Sequence, residues 1–127
     1  MAYESVQRPA RRRGAPWGVA PLFGEAAFHC QQAAEKALKG FLTWNGRVFR
    51  KTYNLEEIGE QCVSVDSALR VAVDRAVPLS EYAWKFRYPG APYEPTAEEA
   101  QEAIAIARAV VEAVLSRLPP ELGLREE

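Results

Sequence analysis

GEAAFHCQQAAEKALKGFLTWNG, residues 24–46, sets apolar side chains at steps of three and four. Phe23, Ala27, Cys30, Ala34, Ala37 and Phe41 fall on one seam, and Phe28, Leu38 and Leu42 widen it, which marks a helix that buries one face. The pattern predicts a helix of about twenty residues. Asn45-Gly46 should end it, because these two residues accept the left-handed backbone that closes a helix C-terminus.

Working outward, NLEEIGEQC places Asn54 as a helix N-cap with Glu57 three residues on, a capping-box spacing that predicts a short helix through Cys62. From about Asp66 to Val77, Ala68, Leu69, Val71, Ala72 and Ala76 alternate with charges in a further helical pattern. Pro78 suits the first turn of a new helix whose inner face would carry Leu79, Tyr82, Ala83 and Phe86, until Pro89-Gly90 stops it. Thr96 and Glu99 form a second capping-box pattern. Behind it, Ala100, Ala103, Ile104, Ala107, Val110, Val111, Val114, Leu115 and Leu118 draw an apolar stripe of roughly five turns, closed by Pro119-Pro120. No stretch sustains a period of two. The expected fold is all-α, an antiparallel up-and-down bundle of four to five helices over residues 23–118, followed by a polar tail over 119–127.

Residues 1–22 fit this plan poorly. Pro9, Gly14, Pro16, Gly18 and Pro21 interrupt them, and each proline inside a helix would cost about 3 kcal/mol. The segment is expected to be irregular. Its arginines, Arg8 and Arg11 to Arg13, could form a basic arm; a shifted reading frame ahead of Phe23 is the competing account.

The chain has 127 residues, 48% hydrophobic and 26% charged, enough for one buried core. No apolar run reaches membrane-spanning length, so a soluble, cytoplasmic protein without membrane contact is expected. Cys30 and Cys62 lie far apart and His29 is the single histidine. The expectation is therefore reduced thiols, no metal and no cofactor. A formal charge of −1 conceals a gradient: Lys36, Lys39, Arg47, Arg50 and Lys51 lie in residues 36–51 without an acid among them, whereas residues 94–127 hold eight Glu against three Arg. A local basic face favours an anionic partner, and the near-neutral total argues against a general nucleic-acid coat.

His29, Gln32, Lys36 and Lys39 recur at helical spacing, with Glu35 able to pair with Lys39. Spacing alone leaves two readings open, a solvated face beside the core or an anion-binding face. KFRYPGAPYEP, residues 85–95, is a helix breaker in either case, since Pro89 disfavours helical geometry at Tyr88.

Taken together in this order, FHCQQAAEKALKGFLTWNG, KTYNLEEI, a helix ending in RYPG and a long C-terminal helix with an acidic cap resemble the HEPN domain of bacteria and archaea, over about residues 23–118. The resemblance implies a helical bundle that forms a homodimer. It also implies a nucleotide or RNA as partner, a toxin–antitoxin or minimal nucleotidyltransferase setting and, in many branches, metal-independent ribonuclease activity. Catalytic relatives place an Arg four to six residues before a His. Here Arg87 is followed by YPGAPYEPT, which has no His. The group that would both take and give a proton near neutral pH is missing, and Tyr88 or Tyr93, with ordinary pKa values near 10, would be poor substitutes. Relatives also carry a His where this chain has Tyr53, and open with a long amphipathic helix that residues 1–22 do not reproduce.

The resulting expectation is binding without cleavage. Arg87 would neutralise phosphate, Lys36, Lys39 and Lys51 would attract it at longer range, and Tyr53 and Tyr88 would stack or hydrogen-bond. One alternative is a protein-interaction module that docks a minimal nucleotidyltransferase through an exposed apolar face. Another is a ribonuclease that uses Tyr53 or His29 as its proton carrier.

Overall fold

A computed structural model describes residues 20–85 and 94–119. Among them are four α-helices, α1 (Ala20–Trp44), α2 (Leu55–Val65), α3 (Arg70–Ala76) and α4 (Ala97–Leu115), with 3₁₀ segments at Ser67–Leu69 and Val77–Ala83 and no strand. The all-α bundle expected from the sequence is the observed fold.

The first helix begins earlier than the periodicity suggests. Ala20 to Leu22, assigned above to the irregular segment, form its first turn, where the N–H that Pro21 lacks would have had no partner in any case. Its end matches the expectation. Gly46 adopts φ 69°, its N–H bonds to Thr43 O at 3.0 Å, and the Arg47 N–H bonds to Leu42 O at 2.9 Å, the paired closure that a left-handed residue permits.

Beyond Gly46 the chain doubles back. Arg47 is tied to Leu42, but by Tyr53 the backbone has returned to the level of Gln31, whose side chain holds the Tyr53 carbonyl at 3.1 Å. Residues 47–53 therefore lie alongside α1, and α2 starts beside its middle. The Asn54 side chain caps α2 by accepting from the N–H groups of Glu56 and Glu57. The reciprocal half of the expected capping box is not made, because the Glu57 carboxylate binds the Arg50 guanidinium at 2.7 and 2.9 Å instead. This pairing holds the Glu57 carboxyl below its ordinary range. Ser80 Oγ takes the Leu55 N–H at 2.9 Å, so this donor of the first turn is also satisfied.

The next two segments differ from the expectation. The single helix read from Asp66 to Val77 opens as a 3₁₀ turn capped by Asp66, and the helix read from Pro78 is a 3₁₀ segment. Pro78 explains the change of hand-hold: it has no N–H to donate to Asp74 O, so α3 cannot continue as an α-helix. Leu79 and Ala83 are still buried; Phe86 lies outside the described residues. Arg70 bonding to Glu60, Arg117 to Asp66 and Arg75 near Glu102 show α2, α3 and α4 running up and down against one another.

The core joins Leu38, Phe41 and Leu42 of α1 to Leu55 and Ile58 of α2, Val73 of α3 and Ile106, Val110 and Val114 of α4. Each such side chain contributes on the order of 1.5–3 kcal/mol on burial. On α4 the apolar stripe expected from the sequence includes Ile104 and omits Ile106; Ile106 is 7% exposed and Ile104 40%. The buried face is set by Ala103, Ile106, Ala107 and Val110, and Ile104 sits one residue's turn to its side. Thr96 and Glu99 make both halves of the capping box that starts this helix.

Candidate functional site

Because the linker returns along α1, residues distant in sequence line one pocket of about 360 Å³. Phe28, Gln32, Glu35 and Lys39 come from one stripe of α1, Lys51, Thr52 and Tyr53 from the linker, and Ala83 from the second 3₁₀ segment. The stripe follows from helix geometry, with steps of four, three and four.

Behind the pocket lies a polar network that the apolar periodicity hides. Gln31 occupies the core seam and is 0% exposed. Its amide nitrogen donates to Glu35 Oε1 at 3.0 Å and to Tyr53 O at 3.1 Å, while its oxygen accepts from Gln32 Nε2 at 2.8 Å. Glu35 Oε2 accepts from Lys39 Nζ at 2.8 Å, and the same ammonium lies 5.7 Å from the centre of the Phe49 ring. A buried amide is tolerated when its hydrogen bonds are filled, and here they are. The signal for Gln31 was available in the sequence as a polar residue on an otherwise apolar seam between Ala27 and Ala34.

Of the six residues singled out from the sequence, Lys39, Lys51 and Tyr53 meet around this pocket. Their electrostatic standing differs. Lys39 is largely enclosed and neutralised by Glu35, both side chains being under a quarter exposed. Lys51 is exposed and has no partner among the described residues, so its charge is the one on offer. Tyr53 is 49% exposed, with its backbone anchored. Lys36 is exposed and lies outside this lining. Arg87 and Tyr88 lie outside the described residues, which resume at Glu94; the described chain stops at Lys85, two positions after Ala83 at the pocket wall. The stretch without acids is therefore less basic in space than in sequence, since Glu35 and Glu57, from just outside it, neutralise Lys39 and Arg50.

His29 does not join Gln32 and Lys39. Its side chain is 71% exposed, 3.5 Å from Glu25, and it stands at a separate groove of about 540 Å³ between α1 and α4. Ala26, Cys30, Ala33, Ile104, Ala107 and Val111 make that groove apolar. Both cysteines are free and buried. Burial pushes the Cys30 thiol up, and that of Cys62, which donates to Leu38 O, up to about 12. Among the described residues no group of three or more His, Cys, Asp or Glu is arranged to hold a metal ion, and no helix is long and apolar enough to cross a membrane.

An all-α bundle with a polar pocket where a returning linker meets its long first helix defines the class of protein. The family model of the HEPN domain matches residues 22–118, and the chain belongs to that family. Neither a curated protein nor a solved structure matches it. Family membership supports a nucleotide- or RNA-related role in general.

Proposed function

We propose that the protein binds a nucleotide or a single-stranded RNA segment, as a homodimer, at the pocket bordered by Lys39, Lys51 and Tyr53. The observation that carries this reading is their convergence on one cavity in which the Lys51 ammonium has no partner among the described residues. Lys51 takes a phosphate oxygen and Tyr53 stacks on a base or bonds it. Lys36 adds attraction at longer range. Arg87 and Tyr88 are assigned to the same ligand through their place in the family pattern, the guanidinium neutralising phosphate. Lys39 acts within its ion pair with Glu35. A nucleotidyltransferase-linked or toxin–antitoxin-type system is the setting that fits such a binder. Cleavage is not expected, because no histidine follows Arg87 in residues 88–96.

Titration of the purified protein with nucleoside monophosphates and with a short single-stranded RNA, at two salt concentrations, tests the reading. Lys51→Ala should weaken binding across sequences and lower the salt slope by about one; equal affinity and slope in variant and wild type would remove Lys51 from the site. Metal-free turnover of RNA that Arg87→Ala abolishes would overturn the claim of binding without cleavage.

The α1–α4 groove favours a second reading, a docking surface for a protein partner such as a minimal nucleotidyltransferase. Ile104→Glu would then abolish partner capture and leave nucleotide binding intact.

A further inference from the structure

The pocket presents more hydrogen-bond acceptors than a phosphate can use. Gln32 spends its amide nitrogen on Gln31 and keeps its carbonyl oxygen, for which the described residues supply no donor. Each Glu35 oxygen accepts one bond, from Gln31 or Lys39, although a carboxylate oxygen can accept two. Glu35 is 15% exposed, enough to be touched from the pocket and little enough for water to be a poor substitute. A phosphate brought against this carboxylate would meet like charge at close range, whereas a group with N–H donors would fill the vacant lone pairs. Tyr53 adds aromatic surface to the same lining, and Lys51, the one lining cation without a partner among the described residues, belongs to the linker wall and not to the α1 stripe. A cavity of about 360 Å³ lies at the small end of ligand sites.

Building on the binding reading above, we propose that the pocket reads a base, and that the base is one with two adjacent N–H donors, as in guanine. Its exocyclic amine bonds to Glu35 and its ring N–H to the Gln32 oxygen, its face packs against Tyr53, and its phosphate points to Lys51. Glu35 is then a specificity-determining residue, and Gln31 a positioning residue that fixes the carboxylate from behind. The Lys39 ammonium, 2.8 Å from Oε2, holds the carboxylate in place from the side.

The test is calorimetric titration of the full chain with GMP, IMP, AMP and UMP, and with a short RNA carrying one guanine or one inosine in its place. Loss of the exocyclic amine, as in IMP, should weaken binding about tenfold, the scale of one two-point base contact. Glu35→Gln should bring GMP and IMP to within about twofold of each other. A preference for guanine in the mononucleotides or in the RNA supports the proposal and says which form the base arrives in; a preference for AMP or UMP overturns it. If the wild-type protein binds all four nucleotides and both RNAs within about twofold, no base is read and Glu35 serves the ion pair alone. If nothing binds, the binding reading itself is overturned. The wild-type series decides the matter even if the Glu35 variant folds poorly.

Discussion

The buried amide of Gln31 donates to the main-chain oxygen of Tyr53 across 22 positions of sequence. That bond joins the core of α1 to the linker that carries three of the eight residues lining the pocket. Replacing Gln31 with leucine keeps the volume but leaves Tyr53 O and Glu35 Oε1 without this donor. The loss should be about 1–3 kcal/mol, read as a lower urea midpoint with an unchanged slope. An unmoved midpoint would mean the bond adds nothing net to stability.

Two glycines should respond to alanine in opposite directions. Gly59 in α2 faces Val73 of α3 so closely that an added methyl would overlap the valine side chain. Gly59→Ala should therefore destabilise by about 1–3 kcal/mol, despite the better helix former. Gly40 is exposed within α1 with open space at its Cβ, so Gly40→Ala should stabilise by about 0.5–1 kcal/mol. Thermal melts of both variants beside the wild type would show one midpoint falling and the other rising.

Asp66 links the end of α2 to the end of α4. Its Oδ2 accepts from Arg117 Nε at 2.6 Å and its Oδ1 from the Ala68 N–H at 3.0 Å. Arg117 first, and the Ala68 N–H second, hold its carboxyl below the ordinary range. A depressed folded-state pKa means the stabilisation is present above the unfolded value, about 3.9, and is lost as pH falls through the folded one. Asp66→Asn should thus be less stable than wild type at pH 7, with the gap closing in acid. A gap that stays constant from neutral to acidic pH would exclude this linkage.

The helix caps of α2 and α4 should be equal in stability and unequal in function. Asn54→Ala and Thr96→Ala each remove a side-chain acceptor from the first turn of a helix, a loss of about 1 kcal/mol. Asn54 directly follows Tyr53, so its loss should also weaken nucleotide binding, whereas Thr96→Ala should leave affinity unchanged. Parallel melting and binding measurements on the two variants check both halves.

What could be read from the sequence was what repeats locally. The α1 seam, the Asn45-Gly46 stop, the Thr96–Glu99 capping box and the long last helix all rest on spacing within a few residues, and each is present. Ile104 was misplaced and Ile106 overlooked because an apolar residue beside a stripe looks like a member of it, and only packing decides. The Asn54 box was half right because Arg50 competed for Glu57, a contact that spacing does not reveal. The same limit governs the site. The chemistry of Lys39, Lys51 and Tyr53 is legible in the sequence, but that they share a cavity, and that Gln31 and Glu35 organise it, depends on the path of the linker through space. No periodicity encodes that path.

The return of residues 47–53 along α1 makes their number matter as well as their identity. An inserted or deleted residue between Gly46 and Tyr53 would slide the linker by one step of roughly 3.3 Å, comparable to the reach of a hydrogen bond, and offer Lys51 to a different rung of the helix. The segment works as a ruler, and its length does as much to shape the pocket as any side chain it carries.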